Sequence, residues 1–245
     1  MITVKIKGGL GNQMFQYAFG RAQSLNYDVP LMLDISWCNG PAKFPYPFIL
    51  DKFNISYERI EPKGKLRREI NYGYDIDMLL LIKDDTIFEG YFQSEKYFNN
   101  YRNILLEDFE LKRENLSKST LAMEKKIKNM KSIFIHIRGK ERRYGNTKKL
   151  HGFISNDFYT RSISMMKKWF PDYKLICVTD DIKYVKNNNK EIFDIILDSE
   201  NYTDYETMYL MNRCDHAIIS NSTFSWWGAW LMRNPNKIII APSRW

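Results

Sequence analysis

The stretch that most constrains this chain runs from Gly8 to Leu25, GGLGNQMFQYAFGRAQSL. It follows a strand-like run, Ile2 to Ile6, in which Ile2, Val4 and Ile6 alternate with Thr3 and Lys5. Gly8, Gly9 and Gly11 then allow a tight turn. Beyond the turn, Phe15, Ala18, Phe19, Ala22 and Leu25 recur at helical spacing on one face. A strand that turns through glycines into a helix brings backbone N–H groups and a positive helix dipole to the strand's carboxyl end. Asn12 and Gln13 stand at the mouth of that turn. The stretch reads either as a site for a phosphate or a sugar, or as a plain strand-to-helix turn without a ligand.

A chain of 245 residues holds one large domain or two small ones and buries a core without disulfides or structural metal. No run of about 18 apolar residues appears, so no membrane span is expected. The N-terminus enters the first strand directly, without the charged and apolar regions of a signal peptide. Cys38, Cys177 and Cys214 form neither a disulfide framework nor a zinc spacing. Reduced thiols in a cytoplasm fit them, and a cytoplasmic location is expected. The net charge of +8 favours anionic partners, whether nucleotides, nucleic acid or an anionic membrane face, without choosing among them.

Residues 28–74 read as connecting loops with short strands, for example Val29 to Leu33, because Pro30, Pro41, Pro45, Pro47 and Pro62 interrupt them. Met78 to Ile82 is a brief apolar helix or strand, Thr86 to Phe92 a strand, and Glu95 to Tyr101 the start of a helix. Lys112 to Lys131 has a helical pattern with a solvated, lysine-rich side, and marks the boundary between halves. The second half alternates strands (132–137, 174–179, 192–197, 216–220, 237–241) with helices (157–170, 204–213, 225–232). Such alternation argues for a parallel, doubly wound sheet, whose ligands bind beyond the carboxyl ends of the strands.

Polar residues cluster at those ends. In IFIHIR, Ile133, Ile135 and Ile137 share one face, so His136 and Arg138 emerge together on the other. A guanidinium there suits a phosphate, which it grips bidentately, or pairs with a neighbouring carboxylate. Asp180 and Asp181 follow the next strand and either meet a nucleobase, a ribose or a metal, or cap the next helix. Asn221, Ser222, Thr223 and Ser225 gather hydroxyls at a helix start, either for an anion or as plain caps. Trp226, Trp227 and Trp230 read as core, and His151 and His216 as structural. Asp75-Ile76-Asp77 resembles a metal-binding DxD but follows no convincing strand. The basic loop Lys140 to Lys149 lacks interleaved aromatics apart from Tyr144, a weak nucleic-acid signal. The glycines match neither a P-loop nor GxGxxG.

Taken together, GGLGNQMFQYAFG, GYFQSEKYF, HIR, DFYTRSI, VTDD and CDHAIISNSTFSWWGAWL resemble glycosyltransferase family 11, the α-1,2-fucosyltransferases, in the family's order and over almost the whole chain. The resemblance implies a bacterial enzyme of two facing Rossmann-like domains, the glycosyltransferase B architecture. Residues 1–128 would be the N-terminal acceptor-side domain and 129–245 the C-terminal GDP-fucose-binding domain. It implies metal-independent, inverting transfer of L-fucose from GDP-L-fucose, with no cofactor, to a glycan acceptor, usually at O2 of galactose. Arg138 would hold the pyrophosphate, and His136, Asp180 or Asp181 the nucleoside. Asn221, Ser222, Thr223 and Ser225 would lie beside the phosphates. The loop of Gly9, Gly11, Asn12 and Gln13 would approach the pyrophosphate and fucose.

One departure from the family pattern concerns catalysis. The usual HxRRGDY continues here as His136-Ile137-Arg138-Gly139-Lys140-Glu141-Arg142, so Glu141 stands at the aspartate position and is the candidate base. That departure also motivates a rival reading, a non-catalytic nucleotide or glycan binder. Further alternatives are a different linkage, a metal-dependent enzyme using Asp75 and Asp77, and nucleic-acid binding by charge alone. A lipid-linked acceptor would bring the basic surface to an anionic membrane face.

Overall fold

Strands buried on both faces are apolar on both sides, and the central strands of both sheets of this chain are of that kind. The computed structural model describes residues 1–40, 46–58, 63–70, 73–79, 85–139, 154–188 and 190–243. They fall into two units, Met1–Lys112 and Arg113–Trp245.

The first unit contains β1 (Ile2–Lys5), α1 (Leu10–Tyr27), β2 (Leu31–Asp34), β3 (Lys65–Arg68), β4 (Thr86–Glu89) and α2 (Arg102–Asp108). Its strands run parallel in the order β2-β1-β4-β3. Thr3, expected on a polar face, is fully buried, because this sheet is covered on the side where alternation suggested solvent. Helix α1 lies close on β1 and β2 at Gly20, where a Cβ would come within 2.6 Å of Val4 and 2.8 Å of Leu31. Phe19 stacks on Phe92 at 4.0 Å and meets Phe88 edge-on at 5.0 Å. Tyr17 and Arg21 both donate to the Asp108 carboxylate, at 2.8 and 3.1 Å, and so fasten α1 to α2. Two expectations are corrected in this unit. The strand expected from Thr86 to Phe92 ends at Glu89, and the helix expected from Glu95 is two 3₁₀ turns. The exposed strand β3 is one of the short strands in the irregular region.

The second unit contains α3 (Lys118–Lys128), β5 (Ser132–Ile137), α4 (Asn156–Trp169), β6 (Lys174–Thr179), α5 (Ile182–Asn188), β7 (Ile195–Asp198), α6 (Asp204–Met211), β8 (His216–Ile218), α7 (Thr223–Trp230) and β9 (Ile239–Ile240). The parallel order is β7-β6-β5-β8-β9. Ile133, Ile135, Ile137, Leu175 and Cys177 pack against Tyr159, Ile163 and Met166 of α4.

The division between units falls at 112/113, where the sequence suggested 128/129. Helix α3 goes with the second unit because its polar residues bond α6. The Ser117 amide and Thr120 hydroxyl each donate to Glu206 at 2.9 Å, and the Tyr209 hydroxyl donates to Glu124 at 2.6 Å. Among the described residues no helix is long and apolar enough to cross a membrane.

Candidate functional site

In the second sheet the connections from β5 run through β6 to β7 on one side, while β8 and β9 lie on the other. The crevice between β5 and β8 is thus the place where an open parallel sheet binds ligands, outside the carboxyl ends of its strands. The ends of β5 and β6 and the turn from β8 into α7 meet there. Arg138, just past β5, donates from Nη1 to the Ser222 hydroxyl at 3.3 Å. Its Nε lies 4.0 Å from Asp180, just past β6. Asp180 also accepts the Gly139 amide at 2.8 Å, which fixes the chain as it leaves β5. Arg138 and Asp180 keep 30% and 29% of their side-chain surface exposed, enough for both to reach a ligand.

The residues around this pair brace it. The Ser225 hydroxyl is fully buried and accepts the Ser220 amide at 3.0 Å, closing the turn into α7. Ser222 is the N-cap of α7, and its own side chain makes no capping hydrogen bond. Thr223 opens the first turn, where the backbone N–H groups of a helix gather and suit an anion. Half-buried Asn221 stands in the same turn.

Two residues expected at the nucleotide bond the protein itself. The His136 ring is buried, with Nδ1 3.2 Å from the Ser220 hydroxyl and Phe224 beside it, so it holds the β8 turn in place. Asp181 is buried and accepts the Tyr184 amide at 3.2 Å, capping α5. Of the acidic pair, Asp180 faces Arg138.

In the first unit the glycine turn holds one polar side chain in position. Gly8 has φ +80°, and a Cβ on it would lie 2.8 Å from Nδ2 of Asn12. The Asn12 amide oxygen accepts from Gln93 at 3.0 Å. Gln93 in turn follows Phe92, whose φ of +50° is unusual for a bulky residue. The Tyr91 and Phe92 amides are clamped by the Glu69 carboxylate at 2.7 and 3.2 Å. Gln93 thus positions Asn12 within the first unit; GYFQSEKYF contained it, but nothing local marks its strained turn.

Three residues of this loop that were expected at the substrate have structural roles. Gln13 is fully buried, and its amide binds the Gly8 and Pro47 carbonyls and the Ile49 amide, so it fastens the loop. Gly11 is buried inside α1. Gly9 is the extended N-cap of that helix, and the left-handed position is Gly8.

The candidate base Glu141, the loop Lys140 to Lys149 and His151 lie outside the described residues. Asp75 accepts the Asp77 amide at 2.9 Å, which makes the DxD-like triplet a local turn. Burial, with Asp34 nearby, pushes the Cys38 thiol up to about 11, and burial pushes Cys214 up to about 12. Neither supplies a thiolate at neutral pH.

Comparison with known proteins gives a family and a fold. The model of a family described as glycosyl transferase family 11 matches residues 73–245. An α-1,2-colitosyltransferase from Escherichia coli is 31% identical over 272 residues, covering 100% of this chain and 92% of that protein. The O-antigen biosynthesis glycosyltransferase WbnK, also from E. coli, is 28% identical over 286 residues, covering 98% and 93%. In fold, the chain is similar to the α-1,6-fucosyltransferase NodZ soaked with GDP-fucose, with a TM-score of 0.56, 14% identity and 96% of each chain covered. POFUT1 in complex with GDP has the same TM-score at 12% identity, covering 98% of this chain and 97% of that one.

Proposed function

The chain is a bacterial member of glycosyl transferase family 11, and from that premise we propose that it moves L-fucose from GDP-L-fucose to a glycan hydroxyl, O2 of a galactose, with inversion and without a metal. The observation that carries the reading is the convergence of Arg138, Asp180 and Ser222 at one crevice of the second sheet. In this reading Arg138 grips the pyrophosphate, and the start of α7 with Ser222 and Thr223 donates to its oxygens. Asp180 accepts from the nucleoside.

The acceptor oxygen attacks the anomeric carbon of fucose on the face opposite GDP. The bond from that carbon to the phosphate oxygen breaks, its electron pair leaves with GDP, and the acceptor proton passes to a base. Glu141 is the base in this reading, and Asn12 donates to the sugar–phosphate oxygen. Arg138 and the helix start lower the barrier by stabilising charge that grows on the leaving phosphate.

The test is Arg138→Ala, read by calorimetric titration of GDP and by transfer to a panel of galactosides with linkage analysis. The lost charged hydrogen bonds are worth about 1.5–3 kcal/mol. GDP affinity should therefore fall at least tenfold and transfer further still; undiminished binding and transfer would sink the assignment. The 31% identical colitosyltransferase favours a second reading, in which the transferred sugar is colitose. The ratio of kcat/KM for the two donors decides between them.

A further inference from the structure

The first sheet has a recess of its own, to which the donor chemistry gives no role. A cleft of about 230 Å³ opens there, lined by Lys5 and Lys7 from the end of β1, Asp34, Ser36 and Trp37 from the end of β2, and Glu89 at the end of β4. It sits where β1, whose chain leaves toward β2, lies beside β4, which the chain enters from β3. That reversal is the place where open parallel sheets take ligands.

Its chemistry is specific. Glu89 lies among three cations: Lys5 and Lys7, each 3.6 Å from one of its oxygens, and Arg68, which donates to it at 3.2 Å. Burial raises the Glu89 carboxyl, but the Arg68 hydrogen bond and the charges of Lys5, Lys7 and Arg68 outweigh it and hold it below the usual value. It is therefore an ionised acceptor at neutral pH. At 3.6 Å neither ammonium is hydrogen-bonded to Glu89, so both keep donors for another oxygen. The lining carries two ammonium groups and two carboxylates, a balance suited to an uncharged polyol. Trp37 adds a flat apolar surface. The volume is below the roughly 300–1,000 Å³ of pockets that enclose a drug-sized ligand, so it fits a single ring and not a nucleotide sugar.

We infer that this cleft binds one uncharged pyranose of the acceptor glycan: Glu89 accepts from ring hydroxyls, Lys5 and Lys7 donate to sugar oxygens, and Trp37 lies against the apolar C–H face. The inference rests on the glycosyltransferase reading for the word acceptor, and on the cleft alone for the sugar.

Saturation-transfer NMR without donor tests it, using methyl β-galactoside, methyl β-glucoside, methyl β-N-acetylglucosaminide and methyl β-glucuronide as probes. At least one neutral glycoside should receive saturation from the full chain. Glu89→Gln and Trp37→Ala should each reduce that transfer at least fivefold and raise the KM for a galactoside acceptor at least tenfold. The Kd for GDP should stay within twofold. Melting curves identify a variant that has lost its fold, and Glu89→Gln carries the test if Trp37→Ala does not fold. The inference is overturned if no neutral glycoside binds, if the glucuronide binds more tightly, or if both variants bind as the parent does. A chain that binds a neutral glycoside through this cleft yet transfers no sugar would overturn the transferase reading and leave the sugar site standing.

Discussion

At the scale of single residues, the glycine turn separates side chains that look alike in the sequence. Asn12 and Gln13 are neighbouring amides, yet Asn12 is held at the turn by Gln93 while Gln13 is inside. Gln16 is inside as well, accepting the Lys7 amide at 2.9 Å and donating to the Gly90 carbonyl at 3.1 Å. Helical periodicity assigns amides to the wet face, so the polar stitching under this turn was illegible. The buried apolar stripe of Phe15, Ala18, Phe19 and Ala22 was plain. The glycine that matters is Gly8. A Gly8→Ala variant meets a left-handed φ, costing about 1–2 kcal/mol, and pushes its Cβ onto the Asn12 amide. Its melting temperature should fall by about 2–4 °C for each kcal/mol lost. Sugar transfer should drop at least tenfold while GDP affinity holds, measured by initial rates and titration. Equal losses in both would assign the loop to the nucleotide.

At the scale of elements, β5 and β6 run from Ser132 to Ile137 and from Lys174 to Thr179, as their apolar runs predicted. They are central strands, and burial on both faces leaves a pattern that hydrophobicity alone reveals. Strand β3, Lys-Leu-Arg-Arg at the sheet's edge, has no such imprint, because one partner and solvent suffice to hold it.

Helix α6 shows a different blindness, since its anchor is a carboxylate. Glu206 closes a capping box with Thr203 and accepts the Ser117 amide and the Thr120 hydroxyl. Burial raises its carboxyl, but these donors prevail and hold it down at about 2, against 4.5 for an ordinary glutamate. A carboxyl depressed in the folded state contributes stability above the unfolded value, and that stability is lost as pH falls through the folded one. The chain should therefore lose stability between about pH 4.5 and pH 2, followed by thermal melts across that window. Glu206→Gln should lower stability at pH 7 by about 1.5–3 kcal/mol and flatten this part of the acid limb. An acid limb unchanged by the substitution would show that other carboxyls govern it.

At the scale of the molecule, the alternation of strands and helices made an α/β chain of parallel sheets legible, while the place where it divides was not. Amphipathic reading saw α3 as a lysine-coated helix between halves. The bonds that assign it to the second unit come from Thr120 and Glu124, polar residues that hydropathy counts as surface, together with buried Ile127. Separately expressed fragments test the assignment. A fragment of residues 113–245 keeps α3 on α6 and should melt cooperatively and bind GDP within threefold of the whole chain. A fragment of residues 129–245 strips Glu206 of the Ser117 and Thr120 donors and leaves the Tyr209 hydroxyl without Glu124. Hydrogen bonds to a charged group are worth about 1.5–3 kcal/mol each, against total stabilities of about 5–15 kcal/mol for a domain. The shorter fragment should accordingly show no cooperative transition and no GDP binding. If the two fragments melt alike, α3 is an ornament on the second unit, and the boundary belongs after it.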